Sequence, residues 1–75
     1  MARQEAPKHN PVALTDRQRQ VARGVERGLT NDEIGAELGI SPRTVKAHCD
    51  TLRQKLGVAQ RRLIAPAFRD LEGRT

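Results

Sequence analysis

The sequence predicts an all-α fold, a small four-helix tri-/tetrahelical bundle with a helix-turn-helix at its centre. Three observations carry that expectation. Apolar residues recur at intervals of three and four, as on one face of a helix, and no stretch alternates as a strand does. Hydroxyl residues that start helices and glycines that end them punctuate the chain at regular distances. Only Gly39, Ile40 and Ser41 separate the second helical segment from the third, the short glycine-containing turn of a helix-turn-helix.

The elements follow in order. Residues 1–12, with two prolines and scattered charges, read as a disordered lead. Thr15 and Gln18 have the spacing of a capping box, so a first helix is expected over about 16–27, burying Val21, Ala22 and Val25 beside Leu14. Gly28 is placed to turn left-handed at its end. Thr30 and Glu33 form a second box, with Leu29 and Ile34 as the hydrophobic staple around it. The second helix is short, 31–38, and Gly39 ends it. Ser41 is a good cap for a third helix, and Pro42 takes the first helical position, where its missing N–H is harmless. That helix runs to Leu56 and closes at Gly57. Leu63, Ile64, Ala67, Phe68 and Leu71 form a fourth helical stripe interrupted by Pro66, so this helix is either kinked or starts later than the stripe suggests. The domain is expected over 13–72, with 73–75 as a flexible C-terminus.

Size and composition narrow the function. A chain of 75 residues makes one domain with a modest core and little room for a deep pocket. No apolar run approaches the ~20 residues of a membrane span, and the N-terminus lacks a signal peptide's apolar stretch. A single cysteine, Cys49, excludes an internal disulfide and a cysteine-based zinc site, and suits a reducing cytosol. No nucleophile–base arrangement or glycine-rich phosphate loop is present, so neither an enzyme nor a cofactor is expected. Lys and Arg total 14 against 9 Asp and Glu, a net charge of +5 that points to a polyanionic partner. With one Phe and no Tyr or Trp, the chain lacks the stacking platforms of single-strand and RNA binders.

The third helix has the faces that binding to double-stranded DNA needs. At about 100° per residue, Cys49, Leu52 and Leu56 fall within about 40° of Val45 and form a core stripe. Arg43, Lys46, Ala47, Asp50, Arg53 and Gln54 fall at roughly 80–200° on the other side. That side is mostly basic, and small Ala47 in its middle allows close approach to base edges. In a helix-turn-helix the second helix of the pair enters the major groove. His48, about 60° from the core stripe, reads as a half-buried framework residue, and Cys49 as a small buried apolar one.

The stretch from LTDRQ through GLTNDEI and IS-x-x-TVKAH to KLGV resembles the LuxR/GerE-type helix-turn-helix of bacterial transcription regulators, from Leu14 to about Phe68. The resemblance implies a cytoplasmic, nucleoid-associated bacterial protein. It implies base contacts from Lys46, Ala47 and Asp50, and phosphate contacts from Thr30, Arg43 and Thr44. Arg53 and Arg61 would extend the phosphate track. It further implies a homodimer on DNA through the fourth helix, at Leu63, Ile64, Ala67 and Phe68; RNA polymerase is the partner that a sigma-factor-type reading would add. The sequence departs from the family pattern at Gln18, Thr51, Pro66 and the Arg61–Arg62 pair, and most usefully at Asp50, which is acidic where a basic or polar residue is common. Two other readings stay open on the residues: a sigma-factor-type reader of a promoter element, and a protein-interaction adaptor using the C-terminal helix.

Overall fold

A computed structural model describes residues 13–73. The expected lead over 1–12 lies outside these residues, as do 74 and 75. Four helices follow one another: α1 (Asp16–Glu26), α2 (Asn31–Leu38), α3 (Pro42–Leu56) and α4 (Ile64–Gly73), with a 3-10 turn at Arg61–Leu63 before α4. No strand occurs among the described residues.

The first three helices start where their local chemistry directs. In the first box, Gln18 N donates to Thr15 Oγ1 at 3.1 Å and Thr15 N donates to Gln18 Oε1 at 3.0 Å. The second box repeats this, with Glu33 N on Thr30 Oγ1 at 3.1 Å and Thr30 N on Glu33 Oε1 at 2.8 Å. Ser41 Oγ accepts from Thr44 N at 3.1 Å, with Pro42 as the first helical residue. These bonds satisfy first-turn N–H groups that have no intrahelical partner. Gly39 and Gly57 end α2 and α3 in the left-handed region, at φ 73° and 72°. Helix α1 stops at Glu26, one residue short of the expected end, because Arg27 is its cap.

The fourth helix starts late rather than kinking. The 3-10 turn takes up Leu63, so Pro66 falls in the first turn of α4, where a missing N–H breaks no bond.

One side chain or more from every helix enters the core: Val21 and Ala22, Ile34, Val45, Cys49 and Leu52, then Ile64 and Phe68, closed by Leu14. Each large apolar group buried in this way contributes about 1.5–3 kcal/mol of transfer free energy. The exposed ion pairs contribute far less, so packing holds α3 in place. Helix α1 packs on both α3 and α4. The α1–α4 seam is overlaid by Arg19–Glu72 at 2.7 Å, Arg23–Glu72 at 3.3 Å and Arg69–Glu26 at 3.7 Å.

This packing corrects part of the dimerisation set. Ile64 and Phe68 are 0% and 1% exposed within the protein's own core, so neither is available to a second copy. Their stripe is the inner face of α4. Leu63 and Ala67 remain half-buried at its edge.

Two glycines inside helices bring the elements close. A Cβ on Gly24 of α1 would lie 2.7 Å from Ile34 Cγ1 of α2. A Cβ on Gly35 of α2 would lie 2.5 Å from the Ile40 carbonyl oxygen. The chain therefore folds back against α2 before α3 begins, and the absence of a side chain at Gly35 makes the tight turn possible.

Candidate nucleic-acid interface

The polar face of α3 is built by burial of its opposite face. Val45, Cys49 and Leu52 are buried and Leu56 partly so, as the arithmetic of the stripe requires. Arg43, Lys46, Ala47, Asp50 and Gln54 are exposed, while Arg53 and His48 are half-buried at the border. Thr30, the cap of α2, is exposed as well.

Most cations of the domain are held in ion pairs. Arg19 and Arg23 share Glu72, Arg69 meets Glu26, and Arg27 makes two bonds to Glu37 at 3.0 and 3.1 Å. Arg43 has no ion-pair partner among the described residues. It sits in the first turn of α3, exposed and uncommitted.

The hydroxyls of the caps keep a useful valence. Thr30 Oγ1 accepts the Glu33 N–H, which leaves its own O–H as a donor. Ser41 and Thr44 hydroxyls lie 3.0 Å apart, so one donates to the other and a single O–H points outward. A phosphate oxygen needs donors of this kind.

Farther along α3, Asp50 joins two cations. Its Oδ2 accepts from Lys46 Nζ at 3.2 Å and its Oδ1 from Arg53 Nη2 at 2.6 Å. The hydrogen bond from Arg53, and then that from Lys46, hold the Asp50 carboxyl below the usual carboxylate range. Arg53 also donates from Nη1 to the Ala59 carbonyl at 3.3 Å, which fixes it against the loop after α3.

Arg61 is not where a phosphate track needs it. Its Nη2 donates to the Leu29 carbonyl at 2.9 Å, and its Nη1 donates to Asn31 Oδ1 and lies 3.4 Å from Cys49 Sγ. The guanidinium is thus an internal strut tying the start of α2 to α3, which corrects its expected role as an outward cation. The Cys49 thiol beside it is buried, and burial pushes its pKa up despite the nearby positive charge.

The sequence also concealed a tie between α1 and α3. Lys55 Nζ donates to the Ala13 carbonyl at 2.8 Å and to Gln18 Oε1 at 3.1 Å. Gln18, read only as a capping partner, is buried and serves both bonds. A glutamine in place of a charged capping residue was the available hint, since a neutral amide is the easier group to bury.

Among the described residues no helix is long and apolar enough to cross a membrane, and no cluster of His, Cys, Asp and Glu could hold a metal ion.

The chain is 52% identical over 46 residues to the transcriptional regulatory protein UhpA of Escherichia coli (strain K12), covering 61% of this chain and 24% of that protein. It is 47% identical over 53 residues to a nitrate/nitrite response regulator protein homolog of Haemophilus influenzae, covering 69% of this chain and 26% of the relative. A third relative, the HTH-type transcriptional regulator MalT of Serratia proteamaculans, is 46% identical over 48 residues, which is 64% of this chain and 5% of MalT. The chain therefore spans about a quarter of the first two relatives and far less of the third. No solved structure matches it significantly. The model of the bacterial regulatory proteins of the luxR family matches residues 12–66, and the chain belongs to that family.

Proposed function

We propose that the protein binds double-stranded DNA sequence-specifically and regulates transcription, with α3 in the major groove. The observation that carries this reading is the two-sidedness of α3. Its apolar face is spent on the core, and its exposed face presents Arg43 and Lys46 around the small Ala47. Membership of a family of regulatory proteins and the names of the relatives support the same reading.

Contacts divide by chemistry. The hydroxyl of Thr30, that of Thr44 when Ser41 donates to it, and the uncommitted guanidinium of Arg43 bind phosphates and fix the register. Lys46 reaches the O6/N7 edge of a guanine, the Ala47 methyl meets a thymine methyl, and Asp50 accepts from a cytosine amino group. Arg53 adds a phosphate contact at the far end of the helix.

Selection from a random duplex library at stated salt gives the site. Lys46→Ala then weakens binding to the selected duplex by about 1–3 kcal/mol and relaxes preference at one base pair. An equal loss on selected and random duplexes would reduce Lys46 to a phosphate contact. A library with no enriched sequence would remove the specific reading altogether.

A further inference from the structure

We infer that Asp50 is a specificity-determining residue that works as an internal stand-in for phosphate, occupying Lys46 and Arg53 until a matching base pair releases Lys46. The inference rests on the reading of α3 as the DNA-facing helix and deepens it.

The geometry supplies the competitor. Asp50 is the one carboxylate on α3, against Arg43, Lys46, Arg53 and Lys55. Each of its oxygens takes a different cation, Oδ1 from Arg53 and Oδ2 from Lys46. Lys55 is committed to Ala13 and Gln18 on the far side. Of the four cations, then, only Arg43 is uncommitted among the described residues. A duplex of arbitrary sequence must displace the carboxylate before Lys46 or Arg53 can neutralise a phosphate.

The two arms of the carboxylate differ in strength. Arg53 is held a second time by the Ala59 carbonyl, so its arm is fixed. The Lys46 side chain is 69% exposed, and a lysine placed four residues before its acid is the weaker order for a helical pair. Lys46 is therefore the arm that lets go. At a matching site a cytosine amino group can donate to Asp50 while guanine O6/N7 accept from Lys46, so all partners are exchanged and none is lost. A phosphate offers Lys46 an acceptor but offers Asp50 no donor. Selectivity follows from that asymmetry, as a penalty on wrong sequences more than a gain on the right one.

The test uses the full 75-residue chain and two probes: a mixture of random-sequence duplexes and the duplex enriched by selection with the unmodified protein. Binding is followed by fluorescence anisotropy across a salt series. Asp50→Asn is expected to raise random-duplex affinity on the order of tenfold near 0.1 M salt, and to steepen the salt slope by about 0.9 for each cation released. Affinity for the enriched duplex changes less, so the ratio between the two falls. The gain disappears when Asp50→Asn is made in a Lys46→Met/Arg53→Met background, because no cation remains to be released. Asp50→Gln, with its better helix propensity, gives the same result if Asp50→Asn perturbs folding. Unchanged random-duplex affinity and slope overturn the inference. So does an equal gain on both probes, or a gain that survives the double background, since simple charge repulsion produces either. If the unmodified protein binds neither probe at low salt, the reading of α3 falls as well; if it binds through α3 and Asp50 is indifferent, only this inference falls.

Discussion

Replacing Gly35 with alanine tests the turn that presents α3. The new Cβ would stand 2.5 Å from the Ile40 carbonyl oxygen, 3.4 Å from Pro42 N and 3.5 Å from Ser41 C. An ordinary C···O contact is about 3.3 Å or more, so the carbonyl must move by about 0.8 Å. All three atoms are backbone, so no flexible side chain can absorb the shift. The Gly35 carbonyl also accepts from Gly39 N at 2.8 Å and from Ile40 N at 3.0 Å, and the shift stretches at least the second bond towards breaking. Overpacking costs about 1–3 kcal/mol and a weakened buried hydrogen bond about as much again. The better helix propensity of alanine returns about 1 kcal/mol. The expected net loss is therefore about 1–5 kcal/mol, out of a total stability of about 4–11 kcal/mol for a chain of this length. At about 4–8 °C per kcal/mol that corresponds to a fall in Tm of about 4–40 °C, read by far-UV circular dichroism, with a matching shift in the urea midpoint. Gly39→Ala is the control. It has open space around it but needs φ near 73°, so it costs only the left-handed penalty of about 1–2 kcal/mol. A Gly35→Ala protein that melts within a few degrees of the unmodified one would refute the close approach and, with it, the geometry that sets α3 against α2.

Other expected outcomes follow from the strut and from the buried thiol. Arg61→Ala leaves the Leu29 carbonyl and Asn31 Oδ1 without their donor, and should destabilise the fold by about 1–3 kcal/mol in urea denaturation. Its salt slope for DNA should stay unchanged, whereas a phosphate-binding Arg61 would lower the slope by about one. The raised Cys49 pKa means that folding favours the protonated thiol. This contribution is complete below the thiol's unfolded pKa and is lost as pH rises through the folded one, so the folded protein should react with a thiol reagent at pH 8 much more slowly than the urea-unfolded chain. Equal rates would contradict the burial.

How much of this was legible depended on the distance between partners. The starts and stops of the helices were readable because each cap joins residues three apart, as Thr15 does with Gln18 and Thr30 with Glu33. The inner and outer faces of α3 were readable because periodicity is local as well. Arg61 was not, because its acceptors lie 30 and 32 residues away and nothing beside it in sequence announces them. The Lys55–Gln18 tie, across 37 residues, was hidden for the same reason. The stripe of Ile64 and Phe68 was seen correctly as apolar but assigned to the wrong neighbour. Periodicity says that a face is buried, and only the fold says against what. Gly24 and Gly35 did leave a signal: a glycine in a helix interior costs stability and commonly marks a close approach. In α3 the polar residues could be placed on a face, but the sharing of Asp50 between Lys46 and Arg53 depends on rotamers that the sequence does not reveal.

The most direct measurement is a titration of the isotopically labelled protein with its selected duplex, followed through backbone amide resonances. The account predicts that the largest changes fall on Thr30 and along Arg43 to Gln54, while Arg19, Arg23 and Arg69 on the α1–α4 seam stay near their free positions. Changes concentrated on that seam, with α3 undisturbed at saturation, would contradict it.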